Sequence, residues 1–359
     1  TDWYIDQMIR PAYDSPSLPI TWQRLEYCAG TNEYVQVDPS LKEEVKQLYE
    51  SHPDEARQQF GDEPFELTNI LDHWVRSKTK EFHVIPTDTI YMTIDKEAVR
   101  NSGMMLQGDS IPDRMVISLK GKNALYKNDL MMLEMIAHAN WTRPLYVALT
   151  VGSENFMNLG DNFVQEGLAN RITPFTTNAA GASNFDTEKT YQNVTKKFRF
   201  GNVSKPGIYL DETVMRMCFT HRRLLAQLAL RLAGEGKDKQ AAEVLALCEK
   251  ELPEYNIPAD YQSGSADMIR AYTAIGKTKE AQHIIDQLWR RSSQYLQWYT
   301  SLNGQWFDMS QQDCLIHMYI MNLLLDMQDT LSAEKSEQKE KQMQALMNIY
   351  QAKGGTFGE

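Results

Sequence analysis

Two hydrophobic periods divide this chain. Up to about Phe175 apolar residues come in short runs broken by Gly, Pro, Asn and Asp, whereas after Pro206-Gly207 they recur every three to four positions to the end. In the first part, Leu41, Val45 and Leu48 lie at helical spacing and predict a helix over 39–50. Phe82-His83-Val84-Ile85 and Thr89-Ile90-Tyr91-Met92-Thr93-Ile94 are β-branched and aromatic, and Pro86-Thr87-Asp88 separates them, which predicts a pair of short strands. Arg114 to Leu119 predicts another strand, Asn128 a cap for a helix from Asp129 to about Ala139, and Pro144 to Val151 a buried strand. That order is β-α-β, for which two parallel strands with a right-handed crossover are expected.

In the second part, two stretches superimpose at a fixed offset. Leu228 and Leu232 lead to Gly236, then Ala241, Leu245, Cys248 and Pro253; Met268 and Tyr272 lead to Gly276, then Ala281, Ile285 and Leu288. The offset, 276 − 236 = 40 residues, exceeds the tetratricopeptide period by about six, and Glu254 to Ala259 is a natural place for a widened turn. Such helix pairs stack into binding surfaces. Asp211 is the expected cap of a helix to about Ala233, and further helices are expected near 311–328 and 333–352, the charge run Lys335 to Lys341 being a solvated helix face. Segment 176–205, rich in Asn, Thr, Ala, Gly and Ser, reads as a linker. The expectation is therefore a mixed α+β chain: an α/β domain over 1–175, a linker, and an all-α tetratricopeptide-like array over 206–359.

Composition adds exclusions. A net charge of −11 over 359 residues argues against nucleic acid as a partner. Cys28, Cys218, Cys248 and Cys314 form no C-x-x-C pair, so neither a metal site nor a redox motif is expected; Cys248 reads as a small apolar residue, and disulfides stay undecided. His73, His83 and His138 share no ligand spacing, and Asp211-Glu212 reads as a helix cap rather than an acid-base pair. No phosphate loop, H-E-x-x-H or G-x-S-x-G occurs, so no catalytic residue, metal or cofactor is assigned. No run reaches the ~18 apolar residues of a membrane span, and the chain, opening on Thr1, reads as a piece of a longer protein.

What chemistry remains lies on helix faces. After Asp211, the residues Val214, Met217, His221, Leu224, Leu225, Leu228 and Leu232 form an expected core stripe, while Arg216, Thr220, Arg223, Gln227 and Arg231 form a polar one. The concave surface of an array is lined by the first helix of each pair, so Arg223, Arg270, Tyr272 and Arg216 are the expected binding residues, reading carboxylate or phosphate and stacking. The competing reading pairs these arginines with neighbouring acids. Trp3, Tyr4, Trp22, Trp141, Trp289, Trp298 and Trp306 would serve a sugar if exposed, and as core otherwise. Three Asp-(Ser/Thr)-aliphatic triplets, starting at Asp88, Asp109 and Asp329, are similar to the general O-glycosylation acceptor motif of Bacteroidetes.

Several blocks resemble one family: Thr1-Asp2-Trp3-Tyr4-Ile5-Asp6-Gln7-Met8, Leu18-Pro19-Ile20, Leu125 to Leu133, Asn140-Trp141-Thr142-Arg143-Pro144-Leu145-Tyr146, and Pro206-Gly207-Ile208-Tyr209-Leu210-Asp211-Glu212. They are similar to the C-terminal region of the DUF2723 membrane proteins of Bacteroidetes, relatives of a eukaryotic protein O-mannosyltransferase. The resemblance implies a parent whose multi-pass N-terminal region carries glycosyl transfer from a lipid-linked sugar, with this chain at the periplasmic face of the inner membrane. It implies that the chain itself is not catalytic and that its partner is an acceptor polypeptide, a glycan or another subunit. The alternatives are a free-standing helical-repeat scaffold and an enzyme built on the β-α-β unit.

Overall fold

The computed structural model describes residues 34–77, 79, 82–106, 110–176 and 184–357. Among the expectations above, the blocks Thr1 to Met8 and Leu18 to Ile20, the aromatics Trp3, Tyr4 and Trp22, Cys28 and Asp109 lie outside the described residues. The chain forms two compact units, Thr1–Asp186 and Thr187–Glu359, the first mixed and the second all helical.

Unit 1 is built from short strands in three sheets. β1 (Tyr34–Val37) lies between parallel β2 (Val84–Ile85) and antiparallel β5 (Ala124–Tyr126); β3 (Thr89–Thr93) pairs with antiparallel β4 (Arg114–Ser118); β8 (Ala169–Ile172) lies between β6 (Tyr146–Ala148) and β7 (Phe163–Gln165), antiparallel to both. Helices α1 (Lys42–Ser51), α2 (Pro53–Phe60), α3 (Lys96–Asn101) and α4 (Lys127–Ala139) connect them, and a π-helical turn spans Ile70–Val75. Alternation sets the faces: Val35 and Val37 of β1, and Met115 and Ile117 of β4, point into a core shared with Leu67, Ile70, Trp74, Leu130, Leu133 and Phe163.

The parallel β-α-β unit is not formed. The buried residues of β4 already face buried residues of β3, with Ile90 opposite Ile117 and Met92 opposite Met115. The chain then turns at Gly121 (φ 83°) and enters β5 in a different sheet before the helix begins. After the helix, Asn140 and Trp141 take left-handed backbone (φ 40° and 58°) and deliver a strand shortened to Tyr146–Ala148, whose two end residues are exposed. A strand wetted on one face does not sit inside a parallel sheet. The strands at 84–85 and 89–93 both exist, but they pair with β1 and β4 rather than with each other. The cap of α4 also differs: Asp129, not Asn128, accepts from the backbone N–H of Tyr126 at 3.2 Å.

Unit 2 starts earlier than expected. The segment expected as a linker contains α5 (Thr187–Lys196), packed against α6 (Glu212–Gly234) and α7 (Asp238–Glu251). There follow α8 (Ser265–Ala274), α9 (Thr278–Ser301), α10 (Gln305–Met309), α11 (Gln311–Leu331) and α12 (Ala333–Ala352). Asp211 caps α6 through the Val214 N–H at 2.8 Å. The two pairs α6–α7 and α8–α9 turn identically: Gly236 and Gly276 have φ of 73° and 74°, and the N–H groups of Lys237 and Lys277 reach back to the carbonyls of Leu232 and Tyr272, both at 2.8 Å. Ala241 and Ala281 are fully buried. Leu224, Leu225, Leu228 and Leu232 are core, whereas Val214 and Met217 are exposed, because α6 at 23 residues outruns the 14-residue α7 at its N-terminal end. The charge run is only partly solvated: Lys339 is drawn onto α9, 2.7 Å from Asp286 and over the Trp289 ring.

Candidate functional site

Helix α6, the turn before α8, α8 itself and α11 bring one polar and aromatic strip together. Arg223 is exposed and donates from Nη2 to the Gln262 carbonyl at 2.7 Å. The two segments touch here: a Cβ built at Gly264 (φ 80°) would lie 2.6 Å from Arg223 Cα, so both the backbone angle and the space require glycine. Tyr261, next to Gln262, meets Tyr319 of α11 edge to face at 6.4 Å. Tyr319 remains 61% exposed and Tyr261 37%, so both rings keep surface for a ligand. Burial raises the Tyr261 phenol, the neighbouring Tyr319 adds to this, and the charge of Arg270 opposes it, which places Arg270 in the same field. Arg270 is exposed, with Nη1 2.9 Å from Asp267.

Beside the strip, Arg291 bridges to Asp260 at 3.2 Å and lies over the Tyr295 ring, which stacks on His317 at 4.8 Å. Burial lowers the His317 pKa; Asp313 and Asp260 pull it up and Arg291 pushes it down.

Of the four residues expected to bind, Arg223 and Arg270 lie on this strip. Arg216 is exposed near the start of α6 and pairs with Glu212 one turn earlier. Tyr272 is placed differently from the expectation: it is 1% exposed and its hydroxyl donates to the Glu249 carboxylate. Burial first, then that carboxylate, raise its phenol far above the ordinary range. Tyr261 and Tyr319 supply the aromatic surface instead. Tyr319 was readable in principle, because it falls off the stripe of Cys314, Met318 and Met321 that α11 buries. Among the tryptophans proposed for a sugar, Trp141 and Trp289 are core, while Trp298 and Trp306 are exposed.

Arg222 was missed altogether. It is 5% exposed and falls on the true core stripe of α6, which runs through Cys218, Arg222, Leu225, Ala229 and Leu232. An arginine on a core stripe needs buried acceptors. The widened turn supplies them: Nη1 donates to the Pro258 carbonyl at 3.1 Å and Ser263 Oγ at 3.4 Å, and Nη2 to the carbonyls of Leu252, at 2.9 Å, and Ile257. The Cys248 thiol lies close enough to act on the guanidinium. Arg222 is thus a clamp on the turn between α7 and α8.

The clamp lines a cavity of about 260 Å³ together with Cys248, Leu252, Pro253, Ile257, Met268 and Ile284, with Glu249, Glu254, His283 and Gln287 among its polar residues. His283 Nε2 lies 3.1 Å from Glu254. Burial raises Glu254, but hydrogen bonds from Gln287 and His283 and the charges of His283 and Arg222 outweigh it, so the carboxyl titrates below its ordinary range. Burial pushes the Cys248 thiol up to about 12, which keeps it protonated and unreactive near neutrality.

Unit 1 closes its buried charges on themselves. Glu134 takes Arg76 at 2.7 Å, with His138 3.5 Å away, and Glu166 takes the Tyr146 hydroxyl at 2.5 Å and Arg171 at 3.5 Å. Among the described residues no group of three or more His, Cys, Asp or Glu is placed to hold a metal ion, and no helix is long and apolar enough to cross a membrane.

The family model described as TMEM260-associated domain 2 matches residues 1–190, more than half of the 359. The match covers unit 1 and the first turn of α5, so the strip and the cavity lie beyond it. No curated protein and no solved structure matches the chain.

Proposed function

We infer that this chain, which belongs to the TMEM260-associated domain 2 family, is the extracytoplasmic binding region of a multi-pass membrane glycosyltransferase-like protein and is not itself the catalyst. The family ties the chain to a membrane protein through its description. The DUF2723-like blocks point to a protein O-mannosyltransferase-like parent at the periplasmic face of the inner membrane, and the two helix pairs act as a tetratricopeptide-like platform. In this reading unit 2 captures an acceptor polypeptide and holds it for the membrane-embedded active site.

The observation that carries the reading is the strip of Arg223, Tyr261, Arg270 and Tyr319. Exposed aromatic rings and arginines on backbone-anchored supports are the residues that dominate protein recognition. Titration of Ser/Thr-containing peptides into the full chain tests this. Saturable binding that Tyr319→Ala and Arg223→Ala weaken supports the strip, and equal binding by wild type and variants sinks it. Binding of a folded subunit but of no peptide would favour the scaffold alternative. Glycosyl transfer from a lipid-linked donor by this chain alone, abolished by a substitution within it, would overturn the non-catalytic part.

A further inference from the structure

The cavity at the widened turn is a separate feature from the strip, and we propose that it receives one basic side chain, lysine or arginine, of a partner polypeptide. Its volume of about 260 Å³ falls just below the ~300–1,000 Å³ of sites for drug-sized ligands, which suits a single side chain. Its apolar walls, Leu252, Pro253, Ile257, Met268 and Ile284, match the methylene stem of such a residue. Its polar end matches the charge. The buried cation of the cavity lining, Arg222, commits both terminal nitrogens to three carbonyls and a serine hydroxyl.

The carboxylates are differently placed. Glu249 accepts the Tyr272 hydroxyl, and Glu254 accepts from His283, yet each carboxylate provides about four acceptor sites. Both are therefore aimed by a neighbour and still able to accept an ammonium or guanidinium. Both residues keep their access to solvent, and an acidic occupant would meet two like charges.

The cavity is also held in shape before any ligand arrives. Besides the Arg222 clamp, the Tyr255 hydroxyl donates to the Ser204 carbonyl, and the Asn256 amide donates to the carbonyls of Val203 and Lys205, each at 2.7 Å. A wall fixed from both sides lowers the ordering cost of binding. None of this requires that the partner be a glycosylation acceptor.

The test titrates Nα-acetyl-lysine amide into the full chain with ¹³C-methyl-labelled methionine and isoleucine, reading the signals of Met268, Ile257 and Ile284. Saturable shifts of these three are expected. Nα-acetyl-norleucine amide, with a similar stem and no ammonium, should bind at least about tenfold more weakly, and Glu249→Gln with Glu254→Gln should weaken lysine by about tenfold. Glutamine at 249 still accepts the Tyr272 hydroxyl; if the double variant melts early, Glu254→Gln alone gives the same reading. Arg223→Ala with Arg270→Ala should leave lysine binding unchanged, which separates this site from the strip. Equal binding of norleucine would make the cavity an apolar hole, binding of acetyl-glutamate would make Arg222 the recognition group, and unshifted methyl signals at saturating lysine would make it a closed packing defect; each overturns the proposal.

Discussion

Each unit buries an arginine, and the two are buried in opposite ways. Arg171 in unit 1, 2% exposed, faces the Glu166 carboxylate at 3.5 Å and the Ser102 carbonyl at 3.1 Å. Arg222 in unit 2, 5% exposed, donates from its terminal nitrogens to carbonyls and a serine hydroxyl. An ion pair cancels its own charge and can be replaced as a pair, whereas a cation solvated by backbone dipoles is an organiser of the backbone that surrounds it. Burial lowers the Arg222 pKa, yet a guanidinium keeps its proton. The first arrangement locks β8 within its unit; the second holds open a turn and thereby creates the cavity.

The largest effect should come from removing the organiser. Arg222→Met leaves the carbonyls of Leu252, Ile257 and Pro258 without their donor, at ~1–3 kcal/mol for each buried group. Water entering the cavity would satisfy part of this, so a loss of about 4 kcal/mol is expected in denaturant unfolding, together with loss of the cavity's lysine response. A loss under about 1 kcal/mol would show that the turn stands without the clamp.

The contrast predicts a different outcome in unit 1. Arg171→Met should cost about 3 kcal/mol, because Glu166 is left as a buried charge. Adding Glu166→Gln should return at least about 1 kcal/mol of it, since glutamine still accepts the Tyr146 hydroxyl. No neutralising second substitution exists for Arg222. A cycle in which the two losses simply add would place Arg171 and Glu166 on independent supports.

These two arginines also mark where sequence reasoning worked. Elements with strong local signals were readable: the Asp211 cap, the glycine-ended helix pairs and the helices at 311–331 and 333–352. What failed was non-local. Nothing within Arg114 to Leu119 says that its partner is β3, and nothing in Pro144 to Val151 says that its partner, β8, lies downstream. Two placements, those of Arg222 and Tyr272, were hidden for a related reason. Arg222 looks like one more polar residue between two stripes until the partners of α6 are known, and Tyr272 carries a hydroxyl whose acceptor, Glu249, lies on the preceding helix. Side-chain role depends on what a neighbouring element offers, and spacing along one helix does not encode that.

A smaller effect is expected with pH, confined to unit 2. His317 is half-buried against Tyr295 and Tyr299, within reach of Ser292 and in the fields of Asp313, Asp260 and Arg291. Its folded pKa is depressed below the ordinary 6.5, so the fold prefers the neutral ring. The stabilisation is therefore complete above the unfolded value and is lost as pH falls below it. His317→Phe keeps the stack and removes the titration, so its unfolding free energy should vary less between pH 7 and pH 5 than that of wild type. Equal slopes would assign the acid sensitivity to other groups.

The smallest effect on stability should accompany the clearest effect on binding. Arg223 and Arg270 are both exposed; one donates to a surface carbonyl and the other makes an i,i+3 pair with Asp267 of the kind that contributes ~0.2–0.5 kcal/mol. Arg223→Ala with Arg270→Ala should therefore shift unfolding by no more than about 1 kcal/mol, far less than Arg222→Met one residue away. If the arginines serve only to pair with neighbouring groups, that small loss is all the double variant should show. If they serve capture, peptide affinity should fall by about tenfold while the melting curve barely moves, and Tyr319→Ala should reproduce the affinity loss with no change in charge. Adjacent positions on α6 would then divide their work by burial alone, Arg222 shaping the backbone from inside and Arg223 meeting the partner from outside. A large stability loss with unchanged capture would reverse that division.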